Sequence, residues 1–65
     1  MKKVIPTDVY DKDGNLSHIE FHNEAGGFEI QVVWDDNDPQ DSEHRVAFRE
    51  WAYRMINQKD LEVLK

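Results

Sequence analysis

Two histidines and one glutamate alternate with apolar residues in the segment His18-Ile19-Glu20-Phe21-His22, so they could share one face of a strand. Imidazole and carboxylate groups are the ligands that bind zinc. However, residues four apart on a strand are separated by roughly 13 Å, whereas two imidazoles on one zinc ion lie within ~4 Å. One histidine with Glu20 and Glu29 would supply few ligands on an open surface. We therefore expect solvated histidines and no metal site.

Two acidic segments could in principle bind calcium or magnesium. Asp11-Lys12-Asp13-Gly14, with Glu20 downstream, partly matches an EF-hand loop, but Val9 would then occupy the first ligand position. A hairpin turn explains these residues without an ion. The segment from Asp35 to Asp41 favours helix capping, because a catalytic metal site needs ligands from several rigid elements. The sequence predicts neither a metal nor another cofactor.

The residues that nucleophilic catalysis requires are also missing. The chain has no cysteine, and glycines do not frame either of its serines, Ser17 and Ser42. A fold of 65 residues also has little room to enclose a substrate pocket. We therefore predict that the protein is not an enzyme.

Charge is distributed unevenly along the chain. Between Val4 and His44 there are eleven carboxylates and one base, Lys12, whereas the rest of the chain has a net positive charge. The carboxylates are Asp8, Asp11, Asp13, Glu20, Glu24, Glu29, Asp35, Asp36, Asp38, Asp41 and Glu43. Such segregation costs self-repulsion, so it reflects loose selection on a solvated surface or attraction to a positive partner. A net charge of −6 disfavours nucleic acids and anionic membranes and favours basic proteins.

The chain can form one small core, which predicts a single domain over residues 1–65, because 38% of its residues are hydrophobic. Without cysteine, it has neither disulfides nor cysteine-bound zinc, and a homodimer is one way to add stability. Pro6 and Asp8 interrupt the N-terminal segment before the apolar region of a signal peptide could form. No apolar run approaches a membrane span, so we expect a cytoplasmic protein without a membrane partner.

Three segments have the pattern of β-strands: Val4 to Tyr10, Leu16 to His22 and Gly27 to Trp34. Polar turns rich in glycine, asparagine and aspartate separate them, which is typical of hairpins. Pro6 favours an edge position for the first strand, because proline cannot donate a hydrogen bond to a neighbouring strand. The three segments therefore predict an antiparallel meander.

A helix is predicted to follow the acidic loop, with Asp38 or Asp41 as its N-cap and Pro39 in its first turn. From Ser42 to about Asn57, apolar residues recur at helical spacing. They are Ala47, Phe48, Trp51, Ala52, Met55 and Ile56. Residues 58–65 are compatible with a last helical turn, a short fourth strand or disorder. The predicted fold class is α+β, a three-stranded antiparallel meander with one C-terminal helix packed on one face (βββα), with the fourth strand left open.

If the helix covers one face, strand alternation divides the side chains into two sets. The predicted inner set is Ile5, Thr7, Val9, Ile19, Phe21, Phe28, Ile30, Val32 and Trp34. The predicted outer set is Asp8, Tyr10, Leu16, His18, Glu20, His22, Glu29, Gln31, Val33 and Asp35. This register places Glu20 opposite Glu29, and opposed like charges cost up to ~1 kcal/mol. Either neighbouring histidines soften this repulsion, or a cation binds there, which would be a metal or a partner's arginine or lysine.

In the same register, Tyr10, Leu16 and Val33 form an apolar cluster bordered by carboxylates. Such a cluster is typical of a protein-binding surface, although a small solvated patch or a dimer contact has the same pattern. The predicted partner-binding residues are Tyr10, Leu16, His18, Glu20, Glu29, Gln31, Val33, Asp35 and Asp36. A second candidate surface lies on the helix and comprises Val46, Arg49, Glu50 and Tyr53.

The leading functional hypothesis is a small acidic interaction module that binds a basic protein and inhibits or adapts it. In its strongest form the carboxylates mimic nucleic acid on a nuclease, polymerase or nucleoid protein. Compact acidic chains of this size are frequent among phage accessory and toxin-neutralising proteins, which favours an inhibitor. One alternative is a homodimerising structural subunit. The other is a sheet-plus-helix domain that binds nucleic acid, which the acidic strands disfavour. Its contacts with nucleic acid would be Lys2, Lys3, Arg45, Arg49 and Arg54.

Overall fold

The computed structural model describes residues 1–64, which form a four-stranded sheet with one helix packed on one face. The elements are β1 (Lys2–Tyr10), β2 (Leu16–Asn23), β3 (Phe28–Val33), α1 (Ser42–Asn57) and β4 (Leu61–Val63). The strand order is β3-β2-β1-β4, with β1 antiparallel to β2, β2 antiparallel to β3, and β4 parallel to β1. The predicted βββα arrangement is confirmed. The open question about the C-terminal segment is decided in favour of a strand, and Lys65 lies outside the described residues.

Side chains in the turns stabilise both hairpins. Asp11 Oδ1 accepts hydrogen bonds from the backbone N–H groups of Asp13 and Asn15, at 2.9 and 3.0 Å. Gly14 has a φ of +82°, a conformation that side-chain-bearing residues rarely adopt. In the second hairpin, Asn23 Oδ1 accepts from the N–H groups of two turn residues. These local interactions explain why turn chemistry located both hairpins correctly.

The helix begins after Asp41, the second of the two predicted N-caps, so Pro39 precedes its first turn instead of lying in it. Asp41 is the N-cap, and its side chain accepts a hydrogen bond from the backbone N–H of His44 at 2.9 Å. The preceding residue, Gln40, pairs through its side-chain amide with both backbone groups of Leu16, at 2.9 and 3.0 Å. This two-bond pairing attaches the start of α1 to the start of β2.

The core lies between the sheet and α1, and β1 contributes to it with the face opposite to the predicted one. The core cluster is Val4, Ile19, Phe21, Val32, Ala52 and Ile56. Because Val4 is fully buried, alternation turns Ile5, Thr7 and Val9 toward the other face, and their predicted inner position is wrong. Asp8 faces the helix, where its carboxylate pairs with Arg49. A charged residue is tolerated on that face because the helix supplies its partner.

Two one-residue irregularities in pairing account for the other errors of register. Val9 pairs with His18 but Tyr10 pairs with Leu16, so Ser17 is an extra residue and Leu16 turns into the interior, with 1% exposure. Phe21 pairs with Ile30 but His22 pairs with Phe28, so Glu29 is extra. Leu16 was predicted outside and is buried.

The second irregularity also moves Phe28, which was predicted inside and is 57% exposed. It packs edge-on against His22, with ring centroids 5.9 Å apart. Glu20 lies opposite Gln31, so the predicted repulsion between Glu20 and Glu29 does not arise. Glu29 instead accepts hydrogen bonds from Asn23 and Lys2.

Pro6 lies where β1 changes from an interior strand to an edge strand. β4 pairs with Lys2 to Val4, and its ladder ends where Leu64 donates to the Val4 carbonyl at 2.8 Å. The next bond of a parallel ladder would need an N–H at Pro6, which proline lacks. The prediction of an edge position therefore holds from Pro6 onward but not for the first residues of β1.

The helix is rotated toward β1 relative to the predicted stripe. Ala52 and Ile56 are buried as predicted, but Trp51 is 45% exposed. Tyr53 packs edge-on against Phe21 with a centroid separation of 6.0 Å, and Arg49 pairs with Asp8. The predicted second surface is therefore wrong for Arg49 and Tyr53, whereas its other two members, Val46 and Glu50, are exposed. Within residues 1–64, no helix has the length and apolar character that a membrane span requires.

We expect Phe21→Ala to abolish stable folding and Phe28→Ala to leave the fold nearly unchanged. Truncating a buried phenylalanine costs about 3–5 kcal/mol, which approaches the whole stability of about 3–10 kcal/mol expected for a chain of this length. Phe28 is the matched control, because it lies on the same hairpin and is exposed. Urea unfolding monitored by circular dichroism measures both, and equal losses would contradict the assignment of the core.

Candidate functional site

No segment within residues 1–64 covers the sheet face opposite α1. The pairing register places there Ile5, Thr7, Val9, His18, Glu20, His22, Phe28, Gln31 and Val33. We call this set the open face. It combines exposed apolar side chains with one central carboxylate, so it is less acidic than the sequence predicted.

Four of the predicted partner-binding residues lie together on the open face. His18 pairs with Val33, and Glu20 pairs with Gln31 on the neighbouring strand. Two further predicted residues, Asp35 and Asp36, are exposed and follow β3 directly in the chain. His18, Glu20, Gln31 and Val33 are therefore neighbours on the sheet, and Asp35 and Asp36 lie in the loop after β3.

The other three predicted residues lie elsewhere. The Tyr10 ring faces the helix side, with the Arg45 guanidinium 5.9 Å from its centroid. Leu16 is buried, and Glu29 pairs with Lys2 at 3.2 Å. The predicted apolar cluster of Tyr10, Leu16 and Val33 is therefore wrong. The inverted face of β1 turns Tyr10 toward the helix, and the extra residue at Ser17 turns Leu16 inward, whereas Val33 stays on the open face.

At the centre of the open face, both imidazoles point to one carboxylate. His18 Nε2 lies 3.0 Å from one oxygen of Glu20, and His22 Nε2 lies 3.0 Å from the other. The Ser17 hydroxyl lies 3.1 Å from His18 Nδ1. Hydrogen bonding to His18 and then to His22 lowers the pKa of Glu20. Within the described part of the chain, no group of three or more histidine and acidic side chains is arranged to hold a metal ion.

Seven carboxylates lie at the end of the molecule where β1 and β3 finish, and we call this set the acidic end. Its members are Asp11, Asp13, Asp35, Asp36, Asp38, Asp41 and Glu43. The two loops that carry them are neighbours, because Asp11, Asp36 and Asp38 line one shallow cleft with Gln40. The sequence predicted an acidic sheet face, whereas the fold concentrates most of the acidic groups in loops.

Three basic side chains pair with carboxylates outside the acidic end. Lys2 pairs with Glu29, Lys3 with Glu62 at 2.8 Å, and Arg49 with Asp8. Arg45 lies nearer to the acidic end, but its guanidinium donates hydrogen bonds to the Gln40 side-chain amide oxygen and the Gly14 carbonyl. Within residues 1–64, none of the seven carboxylates of the acidic end lies at salt-bridge distance from a lysine or arginine.

One member of the acidic end has a histidine partner. Asp41 Oδ1 lies 2.7 Å from His44 Nδ1. The backbone hydrogen bond from His44 is the main cause that lowers the pKa of Asp41. The side-chain hydrogen bond with Asp41 is the main cause that raises the pKa of His44. The other six carboxylates of the acidic end have no lysine, arginine or histidine at salt-bridge distance within residues 1–64.

Sequence reasoning missed three apolar members of the open face, Ile5, Val9 and Phe28. All three are β-strand formers that alternation assigned to the core. Gly26-Gly27 directly before Phe28 is a signal of irregular pairing that could have indicated its exposed position. No protein-family model, curated protein or solved structure matches this chain.

We expect the pKa of Glu20 to lie below that of an ordinary glutamate and to rise in the double variant His18→Ala, His22→Ala. The variant removes both hydrogen bonds that stabilise the carboxylate. A carboxyl group whose pKa is lowered by folding adds stability above its unfolded pKa and loses that contribution as pH falls through its folded pKa. The wild type should therefore lose more stability on acidification than the variant.

Carbon-detected NMR of the side-chain carboxyl groups gives the Glu20 pKa directly. His44→Ala is the control, because His44 contacts Asp41 and not Glu20. A Glu20 pKa that is unchanged in the double variant would refute the role of the two imidazoles.

Proposed function

We propose that this chain is a small acidic interaction module that binds a basic surface on another protein and inhibits or adapts it. The acidic end carries this proposal, because its seven carboxylates lack lysine and arginine partners within the described residues. Internal ion pairs that neutralised these groups would leave little field outside the molecule. Unpaired surface charge of one sign attracts a complementary partner over several ångströms and speeds its association.

The proposed contact surface consists of His18, Glu20, Gln31 and Val33 on the open face, together with the exposed Asp35 and Asp36 in the loop after β3. Val33 is 60% exposed and offers apolar area for burial. The carboxylates beside it would form the polar rim that surrounds the apolar centre of many protein interfaces. A partner with arginine or lysine around an apolar patch would complement this arrangement.

In the strongest form of the proposal, the acidic end occupies the nucleic-acid site of a nuclease, polymerase or nucleoid protein. Such a site is lined by the arginine and lysine side chains that bind phosphates. Binding there would exclude nucleic acid and inhibit the partner, as an accessory protein of a phage or a toxin-neutralising protein would do.

The alternative of direct nucleic-acid binding has weaker support. Three of its five candidate contacts, Lys2, Lys3 and Arg49, already pair with carboxylates of the same chain. Binding phosphate would require these pairs to break and would bring Glu20 and the acidic end toward the nucleic acid. The alternative of a dimer through Tyr10, Leu16 and Val33 fails because Leu16 is buried within one chain.

We expect the affinity for the partner to fall by more than about tenfold when the salt concentration rises from roughly 50 to 300 mM, because salt screens exposed charges. The immobilised chain would capture basic proteins from its native host, and salt elution followed by mass spectrometry would identify them. Calorimetry on the purified partner would then measure the salt dependence. An affinity that is flat across this range, or the absence of any basic protein among those captured, would refute the proposal.

Two pairs of substitutions distinguish the effect of the proposed surface on binding from the effect of the net charge of the chain. Asp35→Asn with Asp36→Asn removes two charges from the proposed surface, and Glu24→Gln with Glu50→Gln removes two charges from other exposed positions. We expect only the first pair to slow association and weaken binding. Equal effects of the two pairs would show that net charge, and not this surface, determines the interaction.

A further inference from the structure

We propose that the groove between β3 and α1 binds an extended basic segment of the partner protein, which adds to the sheet as a fifth strand beside β3. This inference rests on the proposed function, because it takes the partner to be a basic protein. It adds the conformation of the bound segment and the place where it binds.

The backbone of β3 offers hydrogen-bonding groups for such a strand. β3 pairs only with β2, and Trp34 donates its backbone N–H to the Ser17 carbonyl at 2.9 Å. Alternation along an antiparallel ladder then directs the N–H and C=O groups of Gln31 and Val33 away from β2. No segment within residues 1–64 covers this edge, and Phe28–Val33 contains no proline or lysine to protect it.

An apolar groove runs along the same edge. It is lined by Ile30, Val32, Trp51, Met55, Ile56 and Lys59. Arg49 pairs with Asp8 of β1 and Tyr53 packs on Phe21 of β2, and Trp51 is left 45% exposed beside the groove. Alternate side chains of an added strand would enter between Trp51 and the sheet, as in other folds where a peptide extends a sheet next to a helix.

The charges at the two ends of the groove define the occupant. Beyond Val33 the apolar lining continues along Phe48 and Trp51 and ends at Asp35, Asp38 and His44. The His44 imidazole lies 2.7 Å from the Asp41 carboxylate, so the two aspartates are the charges left for a partner. At the other end the lining includes Lys59. A strand antiparallel to β3 would therefore place a basic residue near its N-terminal end against the two aspartates. Its backbone would continue toward Lys59.

The same charges argue against a second copy of this chain as the occupant. Each copy has a net charge of −6, so pairing two β3 edges would bring two strongly acidic molecules together. β3 itself contains no basic residue to place against Asp35 and Asp38. A basic partner segment meets both requirements of the groove, apolar side chains at alternate positions and a cation at one end.

The test begins with a phage-displayed library of random twelve-residue peptides, selected against the wild-type chain at low salt. We expect enriched peptides to contain a basic residue followed by apolar residues at alternate positions. A synthetic peptide with the consensus sequence is then titrated into three variants: Val33→Pro, Val33→Thr and Trp51→Ala. Circular dichroism verifies that each variant is folded.

Val33→Pro is the decisive variant. It removes an N–H that points away from β2, so the ladder within the sheet loses no bond and an edge proline is tolerated. Val33→Thr keeps this N–H and is the matched control. We expect Val33→Pro to weaken the peptide by about tenfold or more relative to Val33→Thr, because both variants lose the valine side chain and only the proline lacks the N–H. Trp51→Ala should weaken the peptide by a similar factor relative to wild type.

Three results would overturn the proposal: no enriched peptide, equal binding to Val33→Pro and wild type, or a wild-type dimer in sedimentation that Val33→Pro dissociates. The last result would identify a second copy as the occupant. A captured basic protein that binds Val33→Pro as well as wild type would refute the groove but leave the proposed function intact. Enriched peptides without basic residues would support the addition of a strand to β3 but refute the inference that the added strand is basic.

Discussion

A single helix is too narrow to cover four strands, and the surfaces of this protein follow from that constraint. Strands lie about 4.8 Å apart, so a four-stranded sheet is roughly 19 Å wide, whereas a helix with its side chains is about 10–12 Å wide. The chain has no second helix within residues 1–64 to fill the remainder. One face of the sheet and one strip of the other face therefore stay accessible.

The position of the helix across the sheet is determined by a few specific contacts. The pairing of Gln40 with Leu16 attaches its start to β2. Arg49 pairs with Asp8 of β1, and Tyr53 packs against Phe21 of β2, so these contacts place the helix over the first two strands. Trp51 is left half exposed beside β3 as a consequence. The contacts that complete the core also set the position of the helix beside the groove. They therefore determine which part of the surface stays accessible.

Electrostatics adds little to the stability of this fold but determines its external field. Exposed ion pairs contribute about 0–1 kcal/mol each, so pairs such as Lys3 with Glu62 are a small part of the folding free energy. Their larger effect is that they occupy basic side chains far from the acidic end. The carboxylates of the loops then remain without lysine or arginine partners in the described part of the chain. The fold thus brings carboxylates that are spread along the sequence together at one end of the molecule.

Element types and ends were predictable because they depend on neighbouring residues. Asp41 caps the helix, helical periodicity continues to Asn57, and Gly14 adopts a positive φ in its turn. Each of these features is decided within a few residues by backbone conformation and local hydrogen bonds. The fold class was correct for the same reason, since three strands and one amphipathic helix have few ways to bury a common core.

The assignment of faces was not predictable in the same way. Strand side chains alternate with a period of two, so one extra residue moves all later side chains to the opposite face. The sequence alone determined the first three strands, the helix, their order and the excess of carboxylates, whereas β4 was decided only by its pairing with β1. Only the tertiary structure decided that Val4 and not Ile5 enters the core, that Leu16 is buried and that Phe28 is exposed. Pairing between strands and the contact of Asp8 with Arg49 involve residues distant in the chain, and no local pattern encodes them.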